Sequence, residues 1–212
     1  MKILARFISY VFHPLLFPTY GTLLVLAVNP NMFGEFGQRP QIVWLIIVFA
    51  LTCTFPAVWI LMMKQLEMID SLSLDTSKQR IIPFIAIATF YLWTTWMFKP
   101  NVHMKIPSNE LLFFMMLGAT LAVFIAFFLN IFTQVSLHTM GAGGLVGLIL
   151  IMIRYSTYDL RIFLVLIILL AGIIGTARLL LKSQTEGEIF SGYVIGFTGQ
   201  FLAFSVVAPL LL

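Results

Sequence analysis

The sequence predicts an all-α, polytopic transmembrane bundle of about six or seven spans, and three observations carry that prediction. Apolar runs close to 20 residues recur along most of the chain, the length that crosses a bilayer with every backbone polar group bonded inside its own helix. Of the 212 residues, 61% are hydrophobic and only 9% are charged, against the roughly 25% charged usual in soluble domains. Polar segments are scarce, the longest being EMIDSLSLDTSKQR at about 67–80. The chain therefore reads as a single integral membrane domain over 1–212, with no soluble domain, low-complexity tail or internal repeat.

The spans fall at roughly 4–28, 41–66, 82–99, 109–132, 138–154, 159–181 and 188–211, with ends good to a few residues. Lys2 and Arg6 before an apolar stretch resemble a signal peptide. His13-Pro14 and Pro18 interrupt that stretch, however, and no small-residue cleavage site follows, so it reads as a retained span, kinked or re-entrant at its prolines. Pro56 predicts a kink in span two. Gly143/Gly147, Ala171/Gly175 and Gly192/Gly196 are small residues one turn apart, which let backbones approach closely. They predict a tight bundle of the last three helices.

Composition narrows the partners. The net charge of +4 is modest and fits topology and lipid headgroups, not nucleic acid. The single Cys53 excludes an intramolecular disulfide and a Cys-rich metal site. His13, His103 and His138 are too widely spread for metal-ligand spacing, and no cofactor is expected. His103 and Lys105 in KPNVHMKIPSN, and His13 beside Pro14, read as ordinary polar residues. Lys2, Arg6, Lys64 and Lys182 read as interface anchors.

Counting spans in turn puts the N-terminus and the loops at 67–80, 133–138 and 182–187 on one membrane face. That face collects Lys78 and Arg80 at the start of span three. It also collects Gln134, Ser136, His138 and Thr139 at the start of span five, Arg178 and Lys182 at the end of span six, and Gln184, Glu186 and Glu188 leading into span seven. Three helix N-termini point the same way, and their free N–H groups favour anions. Arginines beside them add bidentate donors for phosphate or carboxylate. Arg80, His138 and Arg178 are thus a candidate anion site.

Three segments in this order resemble the signature regions of the type 2 phosphatidate phosphatase superfamily, which includes undecaprenyl-diphosphate phosphatases. That family shows Lys-x6-Arg-Pro, then Pro-Ser-Gly-His, then Ser-Arg-x5-His-x3-Asp followed by a small-residue helix. Here KQRIIPF supplies Arg80 with Pro83 displaced, VSLHTMGAGG supplies Ser136 and His138, and ARLLLKSQTEGEIFSGYVIG supplies Arg178, Gln184, Glu188, Gly192 and Gly196. The resemblance covers a core of about 75–200. It implies phosphate binding by Lys78, Arg80, Ser136 and Arg178, and catalytic positions at His138, Gln184 and Glu188. The partner it implies is a membrane phospholipid or isoprenoid phosphate, and the location a bacterial inner membrane.

The departures bear on activity. The position of the family's lysine holds Ser73, Pro-Ser-Gly-His has become Val135-Ser136-Leu137-His138, and Gln184 stands where the family has its nucleophilic histidine. An amide nitrogen is not a nucleophile, although Gln184 can donate and accept hydrogen bonds. The expected function is binding of a lipid phosphate or diphosphate headgroup at one interface with weak or lost hydrolysis. The alternatives are an active phosphohydrolase using His138, or a water activated by Glu186 or Glu188, and a transporter or complex subunit without phosphate chemistry. The scarcity of ionisable residues within the spans favours a subunit over an ion-coupled carrier.

Overall fold

The computed structural model describes residues 1–28, 39–69, 77–99, 110–155 and 158–207, with backbone alone at 39, 77, 78, 155 and 207. His103, Lys105 and the side chain of Lys78 lie outside the described residues. Among those described, seven helical segments are long and apolar enough to cross a membrane: Lys2–Val28, Pro40–Gln65, Gln79–Phe98, Glu110–Leu129, Leu137–Arg154, Arg161–Leu180 and Glu186–Val206. The chain is an all-α bundle and a multi-pass membrane protein.

The first span is two helices, α1 (Lys2–Val11) and α2 (Phe17–Val28), joined by a short 3-10 turn at Pro14–Leu16. Proline has no N–H and disfavours the helical conformation in the residue before it, and His13 is accordingly extended at φ −64°, ψ 140°. Below this break α2 continues inward. Phe17 lies against Gly141, and one turn on Gly21 lies against Leu145 and Leu148. The span is therefore broken at His13.

The second span comprises α3 (Arg39–Phe49), a π turn at Ala50–Thr54 and α4 (Phe55–Gln65). Pro56 cannot bond the carbonyl of Thr52, and the ladder widens just ahead of it, with the Phe55 N–H reaching back to Ala50 O. The helix thus absorbs the proline in a π turn. The remaining spans are α5 (Ser77–Phe98), α6 (Glu110–Leu129), α7 (Leu137–Tyr155), α8 (Arg161–Leu180) and α9 (Glu186–Leu202), the last extended by a π turn at Ala203–Val207.

The closest packing is between α7 and α9. A methyl group on Gly196 would collide with the carbonyl oxygen of Met140, and one on Gly143 with that of Tyr193, so these glycines set the approach of the two backbones. The last three helices are not equally tight, as the spacing of small residues predicts. Instead, α8 lies on the outside of α7, and it meets α9 chiefly through Tyr193, whose hydroxyl donates to Ala171 O at 2.5 Å. The reason is shape: α7 and α9 both present glycine on the shared side, whereas Gly175 on α8 faces the tyrosine ring end, not a second glycine.

Polar side chains also cross-link the interior. Thr95 and Thr120 share a hydrogen bond at 2.8 Å between α5 and α6, and Gln200 Nε2 donates to Met115 O at 3.0 Å between α9 and α6. With no water in the hydrocarbon region, such groups find their partners on neighbouring helices.

Candidate functional site

At one end of the bundle, six parts of the chain surround a cavity of about 720 Å³, within the usual range for ligand pockets. Its polar end is lined by Arg6, His13, Arg80, His138, Arg178 and Gln184. Away from these groups the lining turns apolar, with Ala57, Ile60, Phe84, Ile87, Tyr91 and Val123. Along α5 the distance from Arg80 to Tyr91 is about 16 Å at 1.5 Å per residue. The space therefore suits a molecule with an anionic head and a hydrocarbon body.

Local structure explains how each group arrives. Ser136 precedes α7, and its Oγ accepts the N–H of Thr139 at 3.3 Å, an N-cap that starts the helix and sets His138 in its first turn. The start of α7 is tied to the start of α9: Ser136 N–H donates to Glu188 O at 3.0 Å and Thr139 Oγ1 donates to Ile189 O at 2.9 Å. Gly192 has no Cβ to obstruct this contact, since a methyl there would meet Thr139 Oγ1 and Ser136 O.

Arg178 sits in the last turn of α8, where a cation complements the helix dipole. The helix then ends in a Schellman motif. Ser183 N–H reaches Arg178 O at 3.3 Å, Lys182 N–H reaches Leu179 O at 2.9 Å, and Lys182 takes the left-handed conformation at φ 52°. This reversal returns Gln184 to the level of Arg178.

Gln184 is the junction of the site. Its Oε1 accepts from Ser136 Oγ at 2.6 Å and from Arg178 Nε at 3.2 Å. Arg178 Nη1 also donates to Ser9 Oγ at 3.3 Å, and His138 Nε2 lies 3.3 Å from Ser9 O, a contact in which the ring nitrogen is the donor. Arg80 Nη1 donates to Val135 O at 3.3 Å. Arg178 is within electrostatic reach of Arg80, and both His13 and His138 are within reach of Arg178. The described lining contains three guanidinium groups and two imidazoles but no carboxylate. Three guanidinium charges in a low-dielectric wall attract anions.

The residues expected from the sequence do not all face the cavity. Arg80, His138, Arg178 and Gln184 do. Ser136 is fully buried behind Gln184, with its hydroxyl proton directed to that amide. Glu188 forms a capping box with Thr185: its Oε2 accepts the Thr185 N–H at 2.9 Å, while Thr185 Oγ1 accepts the Glu188 N–H at 3.3 Å. Its carboxylate serves the start of α9 and is not among the lining groups.

Conversely, Arg6 and His13 line the cavity, although the sequence reads them as an interface anchor and an ordinary polar residue. The rings of His13 and His138 meet edge-on with centroids 6.1 Å apart. A signal for this was present. Lys2, Arg6, Ser9 and His13 recur at steps of four, three and four residues, a polar stripe that follows one side of the otherwise apolar α1 and ends at its break. Among the described residues, no group of three or more His, Cys, Asp or Glu is placed to hold a metal ion.

Fold and cavity together define a multi-pass helical membrane protein with a cationic, amphipathic cavity at one end of its bundle. Compared with protein-family models, curated proteins and solved structures, the chain matches none.

Proposed function

We propose that the protein binds a lipid phosphate or diphosphate headgroup at one membrane interface, in the manner of the type 2 phosphatidate phosphatases that its sequence resembles, with hydrolysis weak or lost. The observation that carries this reading is the convergence of Arg80, His138, Arg178 and Gln184, from three segments far apart in sequence, on one cavity that is cationic at its end and apolar below. Two guanidinium groups supply the donors that phosphate oxygens accept most strongly. The apolar walls supply a place for an acyl or isoprenoid chain.

Loss of hydrolysis follows from residue chemistry. In the family the position of Gln184 carries the nucleophile, and a carboxamide cannot form a phosphoryl intermediate. His138 is the remaining imidazole from the resembling segments, suited to donate a proton or contact the headgroup. The resemblance extends the proposal to a bacterial inner membrane as location, which fractionation of the expressed protein checks.

The direct test is binding of a long-chain lipid phosphate to the purified chain in detergent. Arg178→Ala and Arg80→Ala are each expected to weaken it tenfold or more, given about 1.5–3 kcal/mol for a hydrogen bond to a charged group. Unchanged affinity in both variants would leave a scaffold or complex subunit as the better reading.

A further inference from the structure

Arg80 and Arg178 hold one phosphate in the reading above. The cavity holds more than that. Arg6 and His13 enter it from the N-terminal helix, a segment outside the family-like core and without a part in the reading above. We propose that α1 carries a second anion subsite, in which Arg6 and His13 hold the second phosphate of a lipid diphosphate whose first phosphate lies at Arg80 and Arg178. This deepens the proposed function and rests on it.

The geometry of α1 supports the assignment in three ways. First, the helix is sided. Ile3, Leu4 and Phe7 are 85%, 63% and 63% exposed, an outward apolar face fit for lipid, whereas the half-buried Ser9 and the exposed Arg6 border the cavity. Second, α1 is fastened to the first subsite by the two hydrogen bonds that Arg178 and His138 make to Ser9, so its polar stripe is held against the same space. Third, the break before Pro14 aims His13. Its Nδ1 accepts the Leu15 N–H at 3.4 Å, which leaves Nε2 as the nitrogen that carries a proton and can donate. The added groups stand on α1 and its break, beside α8, while Arg80 stands on α5, so the hydrogen-bond donors flank the space from different helices.

The test compares three probes on the purified full-length chain in detergent: a long-chain lipid monophosphate, the diphosphate of the same lipid, and inorganic pyrophosphate. The wild type should prefer the lipid diphosphate. Arg6→Gln combined with His13→Gln should reduce that preference about tenfold, with an unchanged melting temperature showing that the fold is intact. Arg6→Lys with His13 intact should keep most of it, because the charge is retained. Pyrophosphate binding that depends on the same two residues would also support the subsite and would assign its ligand to a soluble source. An equal loss for lipid monophosphate and diphosphate would overturn the subsite and make α1 a structural wall. If the wild type bound none of the probes, the headgroup reading itself would fall, and this inference with it.

Discussion

Gln184 competes for the donors a ligand needs. Its carboxamide oxygen accepts from both Arg178 Nε and Ser136 Oγ, and Ser136 has no access to the cavity while that contact persists. An incoming phosphate oxygen must displace the amide or leave those donors engaged. Gln184→Ala is therefore expected to preserve headgroup affinity or raise it a few-fold, in contrast to the loss expected for Arg178→Ala. A fall in Gln184→Ala as large as in Arg178→Ala, measured by equilibrium binding in detergent, would make the amide a ligand contact instead. Gln184→His restores the type of side chain that the resembling family uses as nucleophile. Phosphate release from a lipid phosphate should then rise above the wild-type baseline. It should stay slow, because the Glu188 carboxylate is engaged by the Thr185 N–H and does not line the cavity to orient the new imidazole. A colorimetric phosphate assay reads this directly, and a variant no faster than wild type would count against the match at this position.

At the scale of elements, the site depends on how closely α7 and α9 meet. The cavity places His138 through the start of α7, which is bonded to the start of α9 by Ser136 and Thr139. Gly196 sets the spacing further along, with Met140 O against it. Because the obstacle is backbone, it cannot rotate away. Gly196→Ala should cost at least the 1–3 kcal/mol usual for overpacking, seen as a lower melting temperature in detergent and weaker headgroup binding. Gly172 on α8 is the control: a methyl there meets nothing within 4 Å. Gly172→Ala should leave the melting temperature unchanged or raise it, since alanine favours the helix by about 1 kcal/mol over glycine. Equal destabilisation by the two variants would refute the assigned seam. The same scale shows what the pattern of small residues concealed. Gly143, Gly192 and Gly196 announce close contact, yet their partner is written on the other helix: glycine meets glycine between α7 and α9, and tyrosine meets Gly175 on α8.

For the whole molecule, seven spans fix which ends share a side. The loop after α6 and the turn between α8 and α9 both border the cavity, whereas Tyr158, between α7 and α8, belongs to the opposite face. Cysteines at the exposed Thr133 and Ser183, in a chain whose Cys53 is replaced by serine, should react with a membrane-impermeant reagent from the same side. A cysteine replacing the exposed Tyr158 should react only from the other. Labelling of all three from one side would break the span count and separate the groups assigned to the site.

Span number, helical class and the shared face of Arg80, His138 and Arg178 were legible in the sequence. Each follows from a one-dimensional rule: a bilayer demands about 20 apolar residues per crossing, and successive crossings alternate sides. Other features were legible only in part. The stripe of Lys2, Arg6, Ser9 and His13 is visible in the letters, but nothing in them says whether it meets water, lipid headgroups or a cavity. Tertiary structure alone decided that α1 lies on α8, that Ser9 bonds Arg178 and His138, and that Ser136 is covered by Gln184. The physical reason is that depth and alternation are properties of each span taken singly. A hydrogen bond between residues as far apart as Ser9 and Arg178 depends instead on which helix faces which, and that is set by the fit of glycine, tyrosine and proline at contacts between spans.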